Sequence, residues 1–321
     1  MSECCSGFNI PGICHIATSG NMAMIEANLV TRLSYGLLTI GAWTDVTVGM
    51  TTPWGGNLSL LISVCDPAQT DGMVWQAPRQ NWVYETEVVY DDMDGNPHSP
   101  ITPAITVNGG APPAHSINHV LGQVIFDAPI PMNSIVEATY SFKNVGVIIG
   151  DQHDWWTELQ RLSWRVDESF FTLDPDCDPL WRIAGHHLVQ MPVIVINGIP
   201  TGSVKGFSIG GCKMRYAQDI LIHILAENKS MVKTLIDVIF ALGNENMCTF
   251  NCDEAAIDGN LPLDCGGSLV GAMTLPELLT AYPWSRLDSK PVQLIELHAL
   301  KCGLYESMLR IPTEMIICAG S

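Results

Sequence analysis

The sequence predicts an α+β protein in which an antiparallel β module is joined to a domain built from a mixed or antiparallel sheet packed with helices. Three observations support this class. Apolar residues recur at helical spacing in residues 22–38, short β-like runs fill residues 42–150, and strands alternate with a capped helix in residues 151–321. Because its strands are short and its turns frequent, the β module is expected to be a small sandwich or barrel.

Residues 1–41 are expected to form an irregular segment followed by one helix. Residues 22–38 place four apolar side chains on one helical face, and Asn21 precedes them as a candidate N-cap. The four are Ile25, Leu29, Leu33 and Leu37. We expect this helix to pack with the C-terminal domain.

Residues 42–150 are assigned to the inserted β module. Strand-like runs are interrupted by turn residues at 91–96 and 108–110. The runs are 82–90, 104–107, 124–126 and 136–147. In the last run, Val136, Ala138, Tyr140 and Phe142 alternate with polar residues, which is typical of a half-buried strand.

Residues 151–321 are assigned to one α+β domain. Helices are predicted over 151–171, after a cap at Ser230 and ending at Gly243, and after the capping box that begins at Thr274. Strands are predicted at 192–196, at 219–226 and twice within 292–318. Residues 197–198 are predicted to turn, and residues 253–267 to form a long loop.

The chain is strongly acidic although few of its residues are charged. It has 321 residues, with 33 acidic and 15 basic side chains and a formal net charge of −18. Binding to a phosphate backbone relies on Lys and Arg, so nucleic-acid binding is not expected. An acidic wall would nevertheless suit a conduit through which DNA slides. Few charges beside 47% hydrophobic residues indicate either buried intersubunit surface or a well-filled core.

Neither a targeting segment nor a membrane span is expected. Residues 1–20 lack the basic and apolar regions of a signal peptide, and the most apolar run, 220–242, is interrupted by Glu227, Asn228 and Lys229. The eleven cysteines are therefore expected to be mostly reduced, buried thiols.

Residues 206–210 match the G-x-S-x-G nucleophile elbow, which would make Ser208 a nucleophile and His223 or His298 its base. The elbow requires a strand before the serine and a helix after it. Here the preceding residues indicate a turn and the following ones a strand. We therefore predict no catalytic residues and no enzyme, with a serine hydrolase as a minor alternative.

The best metal constellation is formed by three cysteines. Cys248 and Cys252 have the spacing of a zinc ligand pair, and Cys265 could add a third thiolate. A fourth ligand would be remote, at His223 or Cys302. Buried thiols remain the favoured interpretation, and no cofactor is predicted.

Five tryptophans are candidate interface residues, because tryptophan anchors both cores and interfaces. They are Trp54, Trp75, Trp82, Trp155 and Trp156. Since Trp155 and Trp156 are adjacent, they would point to different faces of a helix. We expect at least one of them to be exposed or to contact a partner.

Two stretches resemble structural proteins of tailed phages. The first comprises residues 49–56, 71–75, 81–85, 121–126 and 136–142, where a glycine-led strand ending in Phe precedes an alternating strand ending in Tyr-Ser-Phe. The second, residues 192–242, combines Pro-Val-Ile-Val, a glycine-rich turn, a strand and a helix. This order is similar to that of phage neck and tail-terminator proteins.

The resemblance implies a terminator-like C-terminal domain and a homo-oligomeric ring, hexameric or dodecameric, in the virion neck. Its partners would be portal-side and tail-side proteins, and DNA would pass through without sequence-specific binding. Alternatives are a baseplate, capsid-decoration or host-attachment protein. An attachment role through carbohydrate would require Trp54, Trp75 and Trp82 to be exposed on one face.

Overall fold

The described part of the chain contains two large sheets, with helices packed on the second. The structure is a computed structural model that describes residues 18–52, 56–65, 68–92, 94–161, 171–173, 180–183, 187–199, 203–206, 213–243, 247–264, 267–271, 273–289, 291–301 and 303–318. The described helices are α1 (Thr18–Thr39), α2 (Asp154–Arg161), α3 (Lys229–Gly243), α4 (Cys252–Ile257) and α5 (Leu275–Ala281), with a 3-10 helix at Gly150–Gln152. The predicted mixed α+β class is confirmed.

The first sheet has seven strands and lies within the predicted β module. In chain order the strands of the module, which include two outside this sheet, are β1 (Trp43–Val46), β2 (Leu60–Ser63), β3 (Val74–Gln76), β4 (Tyr90–Asp91), β5 (Pro97–His98), β6 (Ala104–Val107), β7 (His115–Asn118), β8 (Gln123–Phe126) and β9 (Val136–Lys143). Strands β4 and β5 form a separate hairpin. The others follow the order β1-β9-β2-β3-β8-β7, with β6 paired to β9.

The second sheet has eight strands, and a three-stranded sheet lies beside it. The strands are β10 (Gly146–Ile149), β11 (Phe171–Leu173), β12 (Leu180–Ile183), β13 (His187–Gln190), β14 (Val193–Gly198), β15 (Ser203–Gly206), β16 (Lys213–Ala226), β17 (Met247–Phe250), β18 (Pro283–Ser289), β19 (Gln293–Lys301) and β20 (Leu304–Cys318). The order is β10-β14-β16-β20-β18-β17, with β15 on β16 and β19 on β20, while β11-β12-β13 form the small sheet. Among the described strand pairs, β10–β14 is the parallel one.

Each sheet has its own core. The first encloses Val124, Phe126 and the alternating apolar residues of β9, so the predicted half-buried strand is confirmed. On the second sheet, the four apolar residues of α1 pack with Ile220, Ile222 and Ile224 of β16 and with α3. Helix α2 and the small sheet cover the opposite face.

Several local predictions are confirmed. Strands β6 and β8 lie where the sequence placed them, β19 and β20 are the two final strands, and α3 ends at Gly243. The capping box of α5 forms, because Thr274 N and Oγ1 both contact Glu277 Oε2.

Other predictions are wrong for identifiable reasons. Helix α1 begins at Thr18, so Asn21 lies inside it. Asn228 caps α3 in place of Ser230, since its Oδ1 accepts from Met231 N at 2.7 Å. The predicted loop 253–267 begins with α4 because Asn251 Oδ1 accepts from Asp253 N and Glu254 N.

Predictions for one turn, two strands and one helix also change. Residues 197–198 continue β14, pairing with Leu221 and Ile220. The run 82–90 is not one strand: Trp82 forms an isolated bridge with Phe142, and the chain then loops to β4. The run 136–147 is divided between β9 and β10, which belong to different sheets. Of the helix predicted over 151–171, α2 is described, Phe171 begins β11, and residues 162–170 lie outside the described residues.

We predict that Gly122→Ala destabilises the fold by at least about 2 kcal/mol. Gly122 has φ +64°, and a Cβ there would collide with Arg79 O and lie 3.0 Å from Trp82 Nε1. Gly109→Ala is the matched control, since Gly109 also has positive φ (+75°) but open space around its Cβ position. It should cost about 1 kcal/mol. Urea unfolding measures both, and equal losses would contradict the prediction.

Candidate functional site

Trp75 and Trp82 are core residues of the β module. Both are buried, Trp82 stacks on Tyr140 with ring centroids 4.2 Å apart, and each indole donates to a nearby backbone carbonyl. Their assignment as interface candidates is therefore wrong, and the exposed aromatic face needed for carbohydrate attachment is lost. Trp54 lies outside the described residues.

Trp155 and Trp156 are both buried, so the expectation that one of them is exposed is wrong. Helix α2 lies between the second sheet and the small sheet, and two adjacent helical positions can then both contact protein. The two rings meet edge to face at 5.8 Å, and Trp156 also contacts the His223 ring at 4.7 Å.

The candidate cysteines have different surroundings. Cys248 is exposed on β17, while Cys252 is half-buried with its Sγ 3.7 Å from Asn28 Nδ2 of α1. Cys265 lies outside the described residues. Within the part that is described, no group of three or more His, Cys, Asp or Glu side chains is arranged to hold a metal. Cys65 is also exposed, so the expectation of buried thiols is wrong for Cys65 and Cys248.

The segment containing Ser208 connects two antiparallel strands. Residues 207–212 themselves are not described, but β15 precedes them and β16 follows them. This connection differs from the strand-turn-helix arrangement that a nucleophile elbow requires. The side chain of His298 is also outside the described set.

A buried carboxylate–imidazole pair lies on the face of the second sheet covered by α2. His223 Nδ1 is 2.8 Å from Glu306 Oε1, and both residues are buried. His223 Nε2 has no hydrogen-bond partner among the described residues. A carboxylate that orients an imidazole is an arrangement used in acid–base chemistry, but here Trp156 covers the ring. The sequence could not reveal this pair, because it depends on the register of β16 against β20.

A second polar cluster holds the β module against α1. Lys143 Nζ, at the end of β9, donates to Glu85 Oε1 at 2.8 Å and to Ser34 Oγ of α1 at 2.9 Å. The ammonium also lies 4.6 Å from the centre of the Tyr84 ring. Both charged side chains are nearly buried. In addition, Gln190 Nε2 donates to Lys143 O at 3.1 Å, which links β13 to the same point.

Two touching loops expose four large apolar side chains, which we call the loop patch. Val120 and Leu121 connect β7 to β8 and are 44% and 43% exposed, while Leu269 and Val270 are 55% and 58% exposed. His119 N donates to Gly267 O at 2.8 Å, so the loops are in direct contact. Scattered exposed apolar residues are normal, but grouped ones mark interaction surfaces.

Strand β19 adds a further exposed feature. Within the described residues it pairs with β20 alone, and its adjacent Leu294 and Ile295 are each 50% exposed. A strand edge with unpaired backbone groups is a ready template for pairing with another chain.

The sequence matches no known protein-family model and has no significant match among curated proteins. None of the described helices is both long and apolar enough to cross a membrane. The residues that could act in binding therefore have to be judged from their geometry. On that basis the loop patch and the β19 edge are the candidate functional surfaces. The sequence reasoning missed both, because neither the exposure of these side chains nor the contact between the two loops can be read from the sequence.

We predict that Lys143→Ala lowers the free energy of unfolding by about 3 kcal/mol, because it leaves the Glu85 carboxylate nearly buried without its cation. Chemical denaturation measures the loss. Lys233→Ala is the control, since Lys233 is exposed on α3 and carries the same charge. The double variant Lys143→Met/Glu85→Leu should recover part of the loss, because it removes both charges. A loss no larger than that of the control would contradict the prediction.

Proposed function

We propose that this chain is a structural protein of a tailed-phage virion that assembles into a homo-oligomeric ring in the neck. There it joins the head and portal complex to the tail as a connector or tail terminator. The loop patch is the observation that carries the proposal, since four exposed apolar side chains on touching loops favour a partner surface.

The β19 edge supports the same proposal. In a ring, each subunit uses one surface to contact a different surface of its neighbour, and closure leaves no free contact. The exposed edge of β19 suits such a head-to-tail contact, because backbone pairing would extend the second sheet into the next subunit.

The finer fold assignments belong to this proposal. The β module would be a small sandwich or barrel, and residues 151–321 would form a terminator-like domain. Within it, the order β14, β15, β16 and α3 supports the proposal, because the resemblance rests on successive strands and a helix in residues 192–242.

The net charge of −18 is compatible with a lumen that DNA traverses without binding. Phosphates are repelled by an acidic wall, so the polymer would slide. A lumen lined with basic residues would contradict this part of the proposal.

We predict that the purified protein forms closed rings at high concentration, with a central hole of about 20 Å or more, wide enough for duplex DNA. Negative-stain electron microscopy tests this directly and gives the symmetry. Elongated trimers would instead favour the host-attachment alternative, and a monomer at every concentration would count against the ring.

We further predict that Leu269→Asp in the loop patch shifts the oligomer toward a monomer of 35.0 kDa. A carboxylate in an apolar contact loses hydration without gaining a partner. Light scattering coupled to gel filtration measures the mass. Val48→Asp is the control, because Val48 is equally exposed, at 57%, and lies outside the patch. Dissociation by both variants, or by neither, would remove the patch from the proposed interface.

A further inference from the structure

The second sheet has two edges that lie at the same level along its strands. Among the described strands, β10 pairs with β14 alone and β19 with β20 alone. Each of the four residues of β10 begins a row that crosses β14, β16 and β20 and ends on β19. One of these rows runs through Val147, Ile194, Ile224, Ser307 and Leu297. The outer sides of β10 and β19 therefore face away from the sheet at matching positions.

The two edge strands run in opposite directions. Strand β10 is parallel to β14, whereas the pairs β14–β16, β16–β20 and β20–β19 are all antiparallel. It follows that β10 runs along with β20 and against β19. If a second copy continued the sheet side by side, its β10 would meet β19 of the first copy as an antiparallel pair. Antiparallel pairs are the commoner kind and are slightly more stable per residue than parallel ones.

The apolar side chains of the two edges also match. Val147 and Leu297 lie on the face that α1 and α3 cover, and both pack partly buried against that core. Ile149 is half-buried two residues further along β10, on the same face as Val147. On β19, Leu294 and Ile295 are each 50% exposed. A second copy placed edge to edge would cover these side chains, which removes apolar surface from water on both subunits.

The irregularities of β19 leave a regular stretch of the right length. Its pairing with β20 shifts register between Leu294 and Glu296 and again between Ala299 and Lys301. Bulges at a strand edge limit pairing with other chains. Residues 296–299 lie between the two shifts and are as long as β10, which has four residues. A short strand such as β10 therefore fits this stretch better than a long one does.

We propose that β19 of one subunit pairs with β10 of the next subunit, so that the second sheet continues from copy to copy. Leu297 then lies opposite Val147 of the partner subunit, and Leu294 and Ile295 meet Ile149 of the partner subunit. The inference rests on the proposed ring, for which it supplies the two different surfaces that a head-to-tail contact requires. Closure of the ring would leave neither edge open to other chains.

Paired cysteines test this register. Within one chain, Val147 and Leu297 are four strand spacings apart, roughly 19 Å, whereas a disulfide requires Cα atoms within about 7 Å. Opposite residues of an antiparallel pair are about 5 Å apart. The double variant Val147→Cys/Leu297→Cys, oxidised by copper phenanthroline in air, should therefore link separate chains. A denaturing gel without reductant should show a ladder in steps of 35.0 kDa.

Several controls define the result. The wild type and both single variants measure the background from the eleven native cysteines, and none of them should give the ladder. Leu297→Cys/Val48→Cys is the matched pair, because Val48 is exposed but lies on neither edge. Linked dimers from Leu297→Cys alone would show that β19 pairs with itself and would overturn the proposal. If circular dichroism shows that the first double variant is unfolded, Ile149→Cys/Ile295→Cys takes its place.

Electron microscopy of the oxidised samples separates this inference from the proposed function. A ladder accompanied by closed rings supports both. A ladder accompanied by open filaments supports the pairing of β19 with β10 and overturns the ring. Rings without a ladder from either cysteine pair overturn the pairing and leave the ring in place. If neither rings nor a ladder form, both proposals are overturned.

Discussion

The second sheet depends on the antiparallel pairing of β16 with β20. These strands have 14 and 15 residues, and every residue of β16 pairs with β20, from Lys213 with Cys318 to Ala226 with Tyr305. Strands β14 and β15 attach to β16, while β18 and β19 attach to β20. A one-residue slip would exchange the two faces of the ribbon. Ile222 would then leave the core under α1, and His223 would leave its contact with Glu306.

Helix α1 is the element that both halves of the molecule share. One part of it packs on β14 and β16, where Glu26 accepts a hydrogen bond from Gly198 N. Its C-terminal part meets the β module through Ser34, which accepts from Lys143, and through Leu38, which packs with Val83 and Val88. Because a single rigid helix makes both sets of contacts, a change in its docking alters the support of the β module as well.

Local sequence patterns predicted the elements whose cause is local. The apolar spacing in α1, the alternation in β9 and the capping box at Thr274 depend on residues close in sequence, and all three were confirmed. Long-range pairing could not be predicted in the same way. Nothing in the run 136–147 indicates that its last two residues join another sheet, because β10 is defined by its partner β14.

The candidate surfaces were harder to predict than the fold. Tryptophan type alone could not separate core from interface, and the burial of Trp155 and Trp156 arises from two sheets that close around α2. Likewise, the pairing of His223 with Glu306 spans 83 positions of sequence and depends on strand register. Exposed apolar side chains such as Leu269 became informative only once the contact between the two loops was known.

The short passage from β9 to β10 has a mechanical consequence. Strand β9 ends at Lys143 in one sheet and β10 begins at Gly146 in the other, and this junction is tied on both sides. Asn144 N donates to Ala42 O at 2.9 Å and Gly146 N donates to Pro192 O at 3.0 Å. Because both ends of this short junction are hydrogen-bonded, it cannot extend. A force applied to the β module would therefore act on β10 as shear along its pairing with β14. Tension on the β module would therefore reach the second sheet through the short parallel pair of β10 with β14.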